Sequence, residues 1–456
     1  MKHLHLIYTL LFGVAVLLFF GLAYPHHLHY QEQYQLFLFD STYVWEIVQH
    51  PGGVADLLGR FCTQFFLFAW VGALIIAVLL SVLQLLTLRL ARWGWLYGLS
   101  FVPSFLLWLF LLDENALLGS VWAVVITLLA VWGLTLLPKG WMRYVVFVVG
   151  LPILYWMVGP DWNGSHYHRY PTAVPTLFYV AWLSAIILPL IVRLIHRFWR
   201  SPQTSNLLSL ISFALVAVGM GFLVWNNVNF KAEKVMQYDF MACHQQWNRI
   251  LATATAEKPN NQIGVTVQNL ALAMHGQLAD HLFEYNQNGI AGLLPEVQRD
   301  AISPMPTAEA FYQLGMIYIA QRMVFEAQEA ILDFQKSGRC YKRLAQTNLI
   351  LGSYEVARKY LMALKKTLFY RQWADETLPL LGDEEAIAKH PEYGRLRQML
   401  CHENFYFGDH VTADMLESLF FSNTDNRVAL EYLRAYYMLT GDRDRYAKLI
   451  LHLQQQ

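Results

Sequence analysis

The sequence predicts an all-α protein in two parts. Residues 1–230 form a polytopic membrane domain of about seven helical spans, and residues 231–456 form a soluble α-helical solenoid. Three observations predict this. From Ile7 to Trp225 the chain is a series of charge-free apolar runs separated by short polar loops, each run about as long as the ~20 residues a helix needs to cross a bilayer. The 456 residues are 56% hydrophobic and only 14% charged, whereas a soluble protein carries about 25% charge. Beyond Lys231 charged residues return, and the apolar period becomes that of short amphipathic helices.

The formal net charge is zero, so bulk charge gives no sign of a nucleic-acid partner. Cys62, Cys243, Cys340 and Cys401 stand in no CxxC or Cys/His spacing, so no structural metal is expected. A disulfide among the last three would leave one over. Tyr24-Pro25-His26-His27 is not a small-residue cleavage pattern, so the first apolar run is read as a retained span.

The spans fall near 6–24, 64–88, 96–112, 116–137, 142–159, 174–195 and 206–226. The links at Arg89–Trp95 and Lys139–Arg143 are short, so the helices they join are antiparallel. Lys2, Arg89, Arg92, Lys139, Arg143, Arg193, Arg197 and Arg200 all lie on one side of this arrangement, while Arg60 and Arg169 lie on the other. Basic loops stay in the cytoplasm, so the N-terminus is expected inside. An odd number of spans then puts everything after 227 outside, which in a bacterium is the periplasm. Trp93, Trp95, Trp141, Tyr155, Trp156 and Trp162 mark span ends as an interfacial aromatic belt. Pro103, Pro152 and Pro189 lie within spans, where neighbouring helices can satisfy the freed carbonyls. No Asp, Glu, Lys or Arg lies deep in a span, which argues against a proton or ion transporter.

Residues 25–62 make the longest link of the membrane half. Leu36, Phe39, Tyr43 and Ile47 share one face at helical steps, which predicts an interfacial helix over 30–48. Pro51-Gly52-Gly53 then breaks the chain, and 54–62 leads into the second span. This layout resembles the GT-C fold of lipid-linked glycosyltransferases, which have juxtamembrane helices and a catalytic acid in the first external loop. That resemblance implies Glu32 or Asp40 as the catalytic carboxylate. Such a group could deprotonate an acceptor hydroxyl or hold a divalent metal against a lipid phosphate. It further implies Arg169 as a contact to the phosphate of a lipid-linked sugar, and His26 and His29, with His27 beside them, as further phosphate contacts or metal ligands. The sequence departs from the pattern in lacking an Asp-Asp or Asp-Glu pair at the start of the loop.

In the soluble half, Phe311-x-x-Leu314-Gly315-x-x-Tyr318 with Ala327 resembles the tetratricopeptide repeat. So do Leu344, Asn348, Gly352, Ala357 and Leu361, and again Leu433, Tyr437, Gly441, Tyr446 and Ile450. Weaker turns fall at Gly276 and Gly408. Small residues permit close helix crossing, and glycine closes the turn between helices. Solenoids of this kind bind peptides in a concave groove, and Arg343, Tyr360, Tyr370, Arg371 and Trp373 form a stripe that could line one. Taken singly, each of these residues also suits an interhelical core.

Pro51-Gly52-Gly53 and Gln64-Phe65-Phe66, together with the strings around Asn269–Leu278 and Phe369–Ala374, resemble a family of uncharacterised inner-membrane proteins from Bacteroidota. This likeness implies a periplasmic helical domain and brings no activity with it. The expected function is therefore that of an inner-membrane scaffold whose periplasmic domain binds a protein or peptide in envelope assembly or polymer export, without a cofactor. The alternative is the GT-C-like transferase, which would use a divalent metal.

Overall fold

The computed structural model describes residues 2–159, 175–198, 206–296, 302–331, 335–400 and 412–455. Their secondary structure is helical, with one isolated β-bridge between Asn288 and Ile290 and no strand among the described residues. The chain divides into two compact units, Met1–Glu233 and Lys234–Gln456.

The first unit contains α1 (Lys2–Leu18), which continues as a π-helical turn over Phe19–Ala23. Three short helices follow: α2 (Pro25–Glu32), α3 (Ser41–Val48) and α4 (Gly53–Thr63). Then come α5 (Ala69–Arg89), a 3-10 segment Gly94–Phe101 running into α6 (Val102–Phe110), α7 (Leu118–Leu136), α8 (Trp141–Val158), α9 (Pro175–Phe198) and α10 (Asn206–Asn227). Among the described residues, six helices are long and apolar enough to cross a membrane: α1 with its π turn, α5, α7, α8, α9 and α10. The expected span at 96–112 is instead a shorter apolar helix, Gly94–Phe110, with non-helical torsions at Leu96.

The outward faces of these helices carry large exposed apolar side chains, such as Leu22, Val148, Ile153, Leu183, Leu215, Val218 and Phe222. An apolar surface this continuous is rare on a water-soluble monomer and matches contact with lipid. Inside the unit, Phe12, Val16, Leu80, Leu83, Phe101, Leu107 and Val124 make one core. A polar ladder crosses that core. Thr9 donates to Gln84 Oε1 at 2.8 Å, Gln84 donates to Ser100 Oγ at 3.0 Å, and Tyr97 donates to the His5 carbonyl at 3.0 Å. Away from water such groups must satisfy one another. The 3-10 segment also lies hard against α10: a Cβ on Gly98 would sit 2.1 Å from the Ser212 carbonyl oxygen.

The helix expected over 30–48 is not continuous. The chain leaves α2 after Glu32, and Asp40 caps a new helix by accepting from Thr42 N at 2.9 Å. A carboxylate two residues before a free amide offers a helix start, and this overrides the apolar periodicity. Leu36 and Ile47 are buried, whereas Phe39 and Trp45 are exposed. The expected break at Pro51-Gly52-Gly53 is present, with Gly52 at φ +80° opening α4. Helix α4 crosses α7 at two glycines; a Cβ on Gly59 would lie 2.4 Å from Gly119 N.

The second unit contains α11 (Phe230–Cys243, from Lys234 onward), α12 (Trp247–Glu257), α13 (Gln262–Met274), α14 (Leu278–His281), α15 (Pro304–Leu314), α16 (Ile317–Glu329), α17 (Gly338–Ile350), α18 (Tyr354–Leu364), α19 (Arg371–Thr377), α20 (Glu384–Lys389), α21 (Tyr393–Gln398), α22 (Thr412–Ser422), α23 (Arg427–Thr440) and α24 (Arg443–Gln455). The hairpins α15–α16, α17–α18 and α23–α24 turn at Gly315, Gly352 and Gly441, with φ of +89°, +78° and +72°. Only glycine adopts that conformation without strain. Gly276 also has positive φ, and Gly408 lies outside the described residues. The hairpins do not stack in simple chain order. Helix α23 returns to α13, α14 and α15, where Glu431 accepts from Ala279 N at 3.0 Å and Asn426 donates to the Leu314 carbonyl at 2.9 Å. One hydrophobic core joins Leu270, Phe311, Leu344, Tyr432 and Leu433.

Candidate functional site

The loop residues 24–63 meet the start of α11. Tyr24 closes the π turn, and Pro25 takes the first helical position of α2, where a missing amide costs nothing. The next two amides, of His26 and His27, donate to the two carboxylate oxygens of Glu233 at 2.8 and 2.9 Å. An anion at a helix N-terminus meets unsatisfied N–H groups and the positive end of the dipole. Burial pushes the Glu233 carboxyl up to about 7, while the two amides pull it down. Burial likewise raises the Tyr24 hydroxyl. His27 is fully buried and stacks on Tyr24 with ring centres 4.5 Å apart. The rings of His26 and His29 lie 5.9 Å apart.

Glu32 is buried at the last position of α2, and Asp40 is the half-buried cap of α3. The two expected carboxylates therefore close one helix and open the next. Arg169 lies outside the described residues. A second acid, overlooked in the sequence, holds the loop together. Buried Asp56 accepts from Arg60 Nε and Nη2 at 2.9 and 2.8 Å, one turn along α4. Its i,i+4 spacing to Arg60 was the available signal. Tyr43, which donates to the Leu36 carbonyl at 3.0 Å, has its hydroxyl raised by burial, with Arg60 opposing. Among the described residues, no three His, Cys, Asp or Glu side chains come together so as to hold a metal ion.

In the second unit the five expected binding residues separate. Arg343 is buried: it pairs with Glu309, and its guanidinium lies 3.8 Å above the Tyr312 ring. It sits within the interhelical core, the alternative that each residue of the stripe also suits. A neighbouring buried pair, Arg339 with Asp239, is bidentate at 2.5 and 2.8 Å. Tyr360 is half-buried edge-on to Tyr341, with centres 5.1 Å apart. Tyr370, Arg371 and Trp373 do come together at the start of α19. Tyr370 caps the helix, Arg371 is exposed, and Lys342 Nζ sits 5.1 Å over the half-buried Trp373 ring. A shallow recess of about 430 Å³ beside them is lined by Leu368, Arg371, Gln372, Asp375 and Glu376. Cys62, Cys243 and Cys340 are free thiols, and burial pushes that of Cys340 up to about 11. Cys401 lies outside the described residues.

These features define an all-helical protein that joins a set of membrane-length apolar helices to a unit of glycine-turned helical hairpins. The chain belongs to DUF6057, a family of unknown function, which it matches over residues 2–162 and 160–455. No curated protein and no solved structure matches it.

Proposed function

We propose that the chain is a multi-pass inner-membrane protein whose C-terminal helical unit lies in the periplasm. There it holds a protein or peptide partner in envelope assembly or polymer export. The observation that supports this reading is the α19 corner, where exposed Leu368 and Arg371 line an open recess with Gln372, Asp375 and Glu376, next in the chain to the half-buried Tyr370 and Trp373. Aromatic and arginine side chains of this kind anchor most protein interfaces. The acids of the first loop support the same reading, because Asp40 caps α3 and Asp56 is tied to Arg60.

Complementation in a strain lacking the protein tests it. Leu368→Glu combined with Arg371→Glu should abolish function while leaving membrane insertion and protein level unchanged. Glu32→Gln and Asp40→Asn should complement fully, and asparagine keeps the cap. Full activity of the double variant sinks the scaffold reading. Loss of function in a well-folded Glu32→Gln variant transfers the function to a GT-C-like transferase acting on a lipid-linked sugar.

A further inference from the structure

At the ends of α5 and α9 a recess of about 500 Å³ is lined by Arg89, Leu90, Ala91, Arg92, Arg193 and Arg197. Arg89 is the last residue of α5, and Arg193 and Arg197 are one turn apart on α9, so they share a face. All four arginines are exposed, and none has a carboxylate partner among the described residues. One has a local explanation: Arg193 donates to the Leu90 carbonyl at the α5 C-terminus, where a cation is favourable. The other three still add like charge around one hollow, and on α9 Arg193 and Arg197, one turn apart, repel in themselves. An anion relieves that repulsion. Guanidinium forks match phosphate oxygens in pairs.

The surroundings identify the source of the phosphate. One turn before Arg89, Leu85 is exposed, and on α9 Leu190 and Leu194 are about half exposed. Beneath the recess Trp93, Leu96 and Val192 form a small buried apolar cluster. Charge thus sits at the helix ends, with greasy surface along the same helices. A free phosphate would use only the first of these, whereas a phospholipid uses both. We propose that this recess binds the phosphate of an anionic phospholipid, with the acyl chains running along the exposed leucines of α5 and α9. Basic hollows between membrane helices are suited to such headgroups. The inference rests on α5 and α9 crossing the bilayer. It is independent of which partner the second unit holds.

The test uses the full chain in neutral detergent, with bound lipid read by native mass spectrometry. The titrants are phosphatidylglycerol, cardiolipin, phosphatidylcholine and inorganic phosphate. Anionic lipid should bind in preference to phosphatidylcholine, and inorganic phosphate should not displace it. Arg89→Gln and Arg197→Gln should each weaken anionic-lipid binding about five-fold. Lys139→Gln, at another exposed basic position, should leave it unchanged. Thermal unfolding in lipid-free detergent checks that the variants still fold. Equal retention of phosphatidylcholine, full displacement by inorganic phosphate, or an equal loss in Lys139→Gln would each overturn the proposal. Recovery of the chain in the soluble fraction without detergent would instead overturn the bilayer reading on which it stands.

Discussion

Glu233, outside the membrane-length helices, is a carboxyl whose titration is moved into the neutral range. Its folded value of about 7 lies above the ordinary 4.5, because burial penalises the carboxylate more than the His26 and His27 amides favour it. The folded chain therefore binds more protons than the unfolded chain between these two values. Stability from this group is fully present below pH 4.5 and is lost as pH rises through 7. Glu233→Gln keeps an oxygen that can accept from α2 and removes the titration. The melting temperature of the parent protein should fall between pH 5 and 8 relative to that of Glu233→Gln, with both measured in the same detergent. Parallel curves would show that the cap stays ionised throughout. The partners of Glu233 lie 207 and 206 residues away in the chain, which explains why its role left no local mark in the sequence. Whether Arg343 lines a stripe or joins the core is left open by the sequence for the same reason. Charge predicts exposure, and the countercharge that makes burial tolerable, Glu309, sits on another helix.

Helices were legible where a local rule decides them. The apolar runs gave α1, α5, α7, α8, α9 and α10 to within a few residues, and Gly315, Gly352 and Gly441 stand where the hairpins turn. The break between α2 and α3 was not read, because the Asp40 cap competes with a convincing apolar period. The segment Gly94–Phe110 is the instructive case. Counted as an α-helix it is too short to span, yet its first 8 residues are 3-10 and its last 9 are α-helical. At about 2.0 and 1.5 Å per residue the two parts reach at most about 30 Å, the thickness of a hydrocarbon core, and the kink at Leu96 shortens that reach. If the segment crosses as a seventh span, the odd count and the expected cytoplasmic placing of basic loops put the C-terminus outside, as the proposed function has it. Reporter fusions at Gln456 should accordingly read periplasmic. A cytoplasmic signal would mean that this segment turns back within the membrane.

At the scale of the molecule, the second unit differs from an open array of repeats in one respect. In such an array each repeat touches only its neighbours, and trimming the last one costs a local amount. Here α23 covers α13, α14 and α15, burying Tyr432 and Leu433 and capping the Leu314 carbonyl through Asn426. A chain ended at Asn426 should therefore lose protease resistance across 262–350, and not only at its new end, when membranes holding it are digested and the fragments are mapped. Protection of 262–350 equal to that of the intact chain would return the unit to a simple stack. This closure also imposes a schedule. The helices made first stand with an uncovered face until residues more than a hundred positions later have been synthesised, roughly 6–25 s at ordinary elongation rates. During that interval the unfinished unit is most open to cleavage and to sticking to other chains, and any pause in synthesis before Arg427 lengthens its exposure.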